Sequence, residues 1–180
     1  MKPAFDGAER LGLPDPAGWT PAQHAAAAEL IAGPRGAVIG PFKPLLHSPE
    51  LMQRVQRTGE YLRYHTGLDA RLTELAILLV SQYWGQPVEW QIHYPIAIKA
   101  GLRVADADAI GRGDAPPSLD HQQQIVYDFC KALQASHAVS DAVYAAARDA
   151  LGEKGVIDLT ALCGYYTMLA MVMNVARTPD

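Results

Sequence analysis

Cysteine is scarce in this chain. Cys130 and Cys163 are the only two in 180 residues. Two cysteines far apart in sequence suggest reduced core thiols, as in a cytosolic protein; nothing in the sequence calls for a disulfide between them, and nothing forbids one. Excess positive charge is also missing. The formal net charge is −4, and no window clusters Lys and Arg between aromatics. That argues against a nucleic-acid partner, which needs a basic patch or stripe. The N-terminal run M-K-P-A-F-D-G-A-E-R has no apolar signal-peptide core. No H-x-x-x-H or C-x-x-C spacing offers metal ligands, so no metal is expected. No Gly-rich phosphate loop and no G-x-S-x-G elbow occurs. No segment alternates apolar and polar residues as a half-buried strand would.

What remains is an ordinary globular composition, 49% hydrophobic and 19% charged. A chain of this length suits one domain with a sizeable core. The run from Gly155 to Ala176 is apolar enough to raise the question of a membrane span. Asp158, Thr160, Asn174 and two tyrosines interrupt it, and no basic flank sets a topology. A helix buried on most sides, in the core or against another subunit, is the expected reading.

Helix punctuation organises the chain. Residues 1–19, rich in Pro and Gly, read as an irregular arm before a single helical domain over 20–180. Thr20-Pro21 is an N-cap with Pro at the first helical position, and that helix ends at Gly33. Residues 33–47 carry three glycines and three prolines and read as a long loop. Ser48 caps a helix to about His65. Asp69 caps the next, Ala70 to Trp84, with its apolar stripe on Leu72, Leu75, Ala76, Leu79 and Val80. A further helix runs from Pro87 to Ala100 and stops at Gly101. A short helix near 105–111 follows. Ser118 is expected to cap a helix to about Ala135, and Ser140 another to Leu151, closed by Gly152. The last helix spans roughly 156–177. The expected fold is all-α, a bundle of about seven to eight helices.

The stretch Glu74–Leu102 carries the chemistry: E-L-A-I-L-L-V-S-Q-Y-W-G-Q-P-V-E-W-Q-I-H-Y-P-I-A-I-K-A-G-L. Glu89 and His93 are one helical turn apart and share a face. A carboxylate beside an imidazole tunes its proton affinity and fixes its tautomer, as general acid–base chemistry requires. Trp90, Tyr83 and Trp84 flank the pair and are candidates to wall a dry pocket. Gln86, in the helix-entry loop, offers an amide to a substrate or caps the helix. Tyr64 ends the preceding helix, and His47 follows the Pro-rich loop, placed to close over a substrate.

This stretch resembles the core motif of the carboxymuconolactone decarboxylase and alkylhydroperoxidase-D superfamily. The peroxidase branch has a Glu, a C-x-x-C starting twelve residues later, and a His four residues after the second Cys. Glu74 and His93 match the Glu and the His, while Gln86 and Glu89 occupy the two cysteine positions. The form E-W-x-x-H-x-x-x-A-x-x-A-G-L looks more like the decarboxylase branch. The resemblance implies an AhpD-like bundle and a cofactor-independent lyase or isomerase acting on a small organic acid or lactone, in the manner of aromatic catabolism. It implies His93 as the acid–base group, Glu89 in support, and Glu74 behind it as a relay or orienting partner. It also implies a homo-oligomer, a trimer or hexamer. An alkylhydroperoxidase-like antioxidant is disfavoured by the missing thiols, since a carboxylate does not attack peroxides usefully. A non-catalytic oligomeric member of the fold is the remaining alternative.

Overall fold

The computed structural model describes residues 7–179. Among them are eight α-helices and no strand. In order these are α1 Pro21–Ala32, α2 Phe42–Leu45, α3 Pro49–Tyr64, α4 Ala70–Tyr83, α5 Pro87–Ala100, α6 Val104–Arg112, α7 His121–Ser136 and α8 Asp141–Ala176. The all-α bundle expected from the helix punctuation is the observed one.

α4 is the centre. Residues Leu72 through Ser81 are buried without a break, because α5, α7 and α8 all pack on it. A helix covered on every side must be apolar on every side. The stripe read from its sequence was therefore only part of its buried surface, since Ile77 and Leu78 are also fully buried. One core of buried residues runs from Ala26 in α1 to Leu169 in α8.

Most helix ends follow the local chemistry. Thr20 and Gln23 form a reciprocal capping box. Asp69 accepts from the Arg71 backbone N–H at 2.8 Å, and Ser140 from that of Val143 at 3.3 Å. Two caps differ from expectation. Ser48 makes no side-chain capping bond. Ser118 does not cap α7; Asp120 does, in a capping box with Gln123. Ser118 instead donates its backbone N–H to the buried Asp106 at 2.8 Å, a partner twelve residues away that local pattern cannot reveal.

The loop over 33–47 also differs. Phe42–Leu45 forms one helical turn, and Phe42, Leu45 and Leu46 are buried. Burial of these apolar side chains outweighs the Gly and Pro signals around them. Gly152 adopts φ +72°, a conformation that L side chains resist. The break read there is a kink inside α8 and not a connecting loop.

α8 is long and apolar enough, by length and composition, to cross a bilayer. Its most apolar window has mean hydropathy 1.6, yet 56% of that window is buried against α3, α4 and α7. Of the N-terminal arm, residues 1–6 lie outside the described residues. The rest is fastened down. Arg10 and Leu11 donate their backbone N–H groups to the carbonyl of Ala176, and Pro16–Gly18 forms a 3₁₀ turn.

Candidate functional site

The motif helix is positioned by its first residue. Gln86 accepts from the Val88 backbone N–H at 2.8 Å and donates from Nε2 to Asn174 Oδ1 on α8 at 2.9 Å. Ser81 on α4 donates to the Gln86 carbonyl at 2.8 Å. The start of α5 is thus tied to α4 and α8 at once. That anchorage turns Glu89 and His93 into the protein, where both are buried.

Glu74 sits in the middle of α4 with 5% exposure. Its Oε2 lies 2.6 Å from His93 Nδ1, and its Oε1 lies 3.6 Å from an Arg63 guanidinium nitrogen. A carboxylate on Nδ1 assigns the proton to that nitrogen and leaves Nε2 as the acceptor. The Tyr166 hydroxyl lies 3.3 Å from Nε2 and donates to it in that tautomer. Burial lowers the proton affinity of His93; contact with Glu74 works the other way, and Arg63 and Arg35 add to the lowering. The net direction is downward, so the imidazole is neutral at neutral pH.

Glu89 behaves oppositely. Neither carboxyl oxygen finds a hydrogen-bond partner. Its place in the first turn of α5 favours an anion, but the cost of desolvating the charge is larger. Burial pushes its carboxyl well above the ordinary 4.5. The Tyr165 hydroxyl likewise makes no hydrogen bond of good geometry and is pushed up to about 12, chiefly by burial, with Arg35 and Arg63 opposing.

These groups meet at a cavity of about 230 Å³. Arg35, Arg63, Tyr64, Glu89, His93, Tyr165 and Tyr166 supply its polar lining. Ile39, Phe42, Ile92, Ile96 and Leu169 supply an apolar wall. The space holds a small organic molecule. It combines an imidazole whose proton affinity burial lowers, a carboxyl whose proton affinity burial raises, and two guanidinium groups.

The candidate residues named from sequence divide sharply. His93, Glu89 and Tyr64 line the cavity, and Glu74 sits behind His93. The pairing of His93 with Glu89 is not formed: the side-chain partners of His93 are Glu74 and Tyr166. Two residues four apart share a helix face, but contact across helices won. Gln86 is consumed as a cap. Trp90 packs beside Gly111, near which its ring leaves no room for a side chain. Tyr83 is half exposed and faces a different, open groove beside Leu133 and Met171. His47 is exposed and contacts the Gly12 carbonyl at 2.9 Å, fastening the arm and not covering the cavity. Arg35 and Arg63 were missed. Neither lies in a motif, and their relevance appears only once α1, α3 and α8 converge. No group of His, Cys, Asp and Glu suited to a metal ion occurs among the described residues.

Residues 49–124 match the model of the carboxymuconolactone decarboxylase family. The match begins at α3 and ends in α7, and it includes Arg63, Glu74, Glu89 and His93. No curated protein and no solved structure matches the chain.

Proposed function

We propose, from the premise that residues 49–124 carry this family's pattern, that the protein is an enzyme of proton transfer acting on a small organic acid or lactone. One observation carries the reading. A single cavity is lined by a carboxyl whose proton affinity burial raises and by an imidazole whose proton affinity burial lowers. Environments that push two titratable groups apart assign the acid and the base.

In this reading His93 Nε2 is the base, and Glu74 holds its tautomer. Glu89 is the proton donor. For an isomerisation, Nε2 removes a proton next to a carbonyl, the electron pair moves into the unsaturated system, and Glu89 delivers a proton to the distal carbon. For a decarboxylation, the bond to the carboxylate breaks and carbon dioxide leaves. The electron pair enters the conjugated lactone, and Glu89 again supplies the proton. The family favours the carboxy-lyase version; the acid–base pair serves both. The test is incubation in D₂O with β,γ-unsaturated acids and lactones, followed by NMR. Deuterium appearing at carbon is the expected result. Its absence from every such compound would leave the fold as a non-catalytic binding protein.

The peroxidase alternative rests on thiols. Cys130 and Cys163 do meet, with Sγ atoms 3.6 Å apart. Both are buried and neither lines the cavity. Cys130 is pushed well above 9.0 by its contact with Cys163 and by burial, which disfavours its reactive thiolate form. Negligible hydroperoxide reduction is expected with any dithiol donor. Peroxide consumption by the wild type that is lost on changing both cysteines to Ser would overturn this.

Self-association in a soluble, cytoplasmic setting belongs to the same proposal. Ile157, Met171 and Val175 on α8 remain exposed, an apolar display that a second copy would cover. Light scattering should give a mass that is a multiple of 19.5 kDa. A stable monomer at micromolar concentration would contradict it.

A further inference from the structure

We propose that Arg35 anchors the carboxylate of a substrate that carries one negative charge, with a neutral carbonyl end reaching Glu89. The inference rests on the proton-transfer reading for the second half of that statement; the anchoring half stands on the geometry of Arg35 alone.

Arg35 lies in the connection between α1 and α2, and its guanidinium lines the cavity. Two contacts hold it. One guanidinium nitrogen donates to the Gln56 carbonyl at 3.2 Å, and the group sits over the Phe42 ring at 4.9 Å. Neither contact neutralises it, and among the described residues no carboxylate forms an ion pair with it. Arg63 differs, because Glu74 lies 3.6 Å from it. The charges of Arg63 and Glu74 therefore offset each other. Among the described residues Arg35 is thus the guanidinium of the cavity with no carboxylate beside it. A ligand bearing a single negative charge makes the filled cavity neutral. A second carboxylate would leave the filled cavity with an unmatched negative charge.

Gly59 shows that this corner is built. A Cβ placed there would lie 2.0 Å from the Tyr165 hydroxyl oxygen and 2.6 Å from an Arg35 guanidinium nitrogen. Glycine inside a helix is destabilising relative to alanine. Here the missing side chain leaves the notch in α3 over which Arg35 and Tyr165 converge. The Tyr165 hydroxyl has the Arg35 guanidinium beside it but no hydrogen bond of good geometry, and the buried Nε of Arg63 has none. Buried polar groups are normally satisfied, and a carboxylate accepts several such bonds. At the other side, the unpartnered protonated carboxyl of Glu89 calls for an acceptor. A ketone or lactone carbonyl provides one without adding charge.

The probe is levulinate, a monocarboxylate with a ketone, titrated calorimetrically into the full-length protein beside its methyl ester and succinate. Wild type should bind levulinate, and the ester and succinate at least tenfold more weakly. Arg35→Gln should weaken levulinate binding by about 10–100-fold, the range for a charge-assisted hydrogen bond. Arg35→Lys, which keeps the charge and loses the planar fork, should restore part of it. Tyr83 lies on a different groove, and Tyr83→Phe should leave the affinity within about threefold. Equal affinity in wild type and both Arg35 variants would overturn the proposal. So would an ester that binds as well as the acid, or a wild type that binds no levulinate. Levulinate binding that depends on Arg35, with no deuterium exchange on any unsaturated acid, would overturn the proton-transfer reading alone. Exchange that persists with no role for Arg35 would overturn the anchor alone.

Discussion

His93→Ala lowers turnover by about 10²–10⁴-fold, the usual contribution of a positioned acid–base group. The argument is geometric. His93 Nδ1 is taken by Glu74 at 2.6 Å, so Nε2, beside the Tyr166 hydroxyl at 3.3 Å, is the nitrogen left to accept a proton. Removing the ring removes the one neutral nitrogen base lining the cavity. It also leaves Glu74 buried with Arg63 as its only charged partner, and such a loss costs stability. His93→Gln is therefore the companion variant, since an amide can still donate to Glu74 but cannot accept a proton. Both variants should be equally inactive, with His93→Gln the more stable. The pH profile gives a second readout. Burial holds the imidazole below the ordinary 6.5, so the acid limb of the wild-type rate should fall below that value. Both measurements use the deuterium-exchange assay over a pH series. Near wild-type exchange by His93→Gln would show that the histidine is structural.

Glu89→Gln has the second large effect, and it acts on stability and rate in opposite directions. The folded-state carboxyl is raised above its unfolded value. Above the unfolded pKa the unfolded chain gives up this proton, while the folded protein keeps it. The folded state then binds more protons, and stability falls as pH rises through that window. Each tenfold difference in proton affinity is worth about 1.4 kcal/mol. In a chain of this size each kcal/mol moves Tm by about 2–4 °C. Glutamine does not ionise, so the variant lacks this decline. Its Tm should gain on the wild type as pH is raised from 4 to 8, by a few degrees. Its rate should fall by about 10²-fold or more, because the proton donor is gone. Thermal melts at four or five pH values check the first part, and exchange rates the second. Parallel Tm–pH curves for the two proteins would mean that Glu89 is ionised in the fold, and the acid role would fail with it.

Helix identity was largely legible in the sequence. Thr20, Asp69 and Ser140 stop and start the chain through bonds that reach no further than three residues. Gly101 and Gly152 take the left-handed backbone at the places their spacing marked. The shared face of Glu89 and His93 followed from helical period alone, and both turn inward. The inner helix turn at Phe42–Leu45 was not legible, because its stability comes from burying Phe42 and Leu45 and not from its own residues' preferences.

The site was half legible. Glu89 and His93 were named from their spacing on one helix, and Glu74 from the family resemblance; the two arginines were not. Glu74 bonds His93 from 19 residues away, and Tyr166 approaches from 73. Arg35 is brought to the cavity by the packing of α1, α3 and α8, and Gly59 reads as an ordinary helix weakness until Tyr165 is laid over it. Cys130 and Cys163 looked isolated and are in contact. By itself, then, the sequence determined where most of the longer helices begin and end and which face of α5 is chemical. Those properties depend on hydrogen bonds and periodicity within about four residues. Only the tertiary structure decided which groups are charged and which are neutral, because that depends on what other helices exclude water from and what they bring within hydrogen-bond reach.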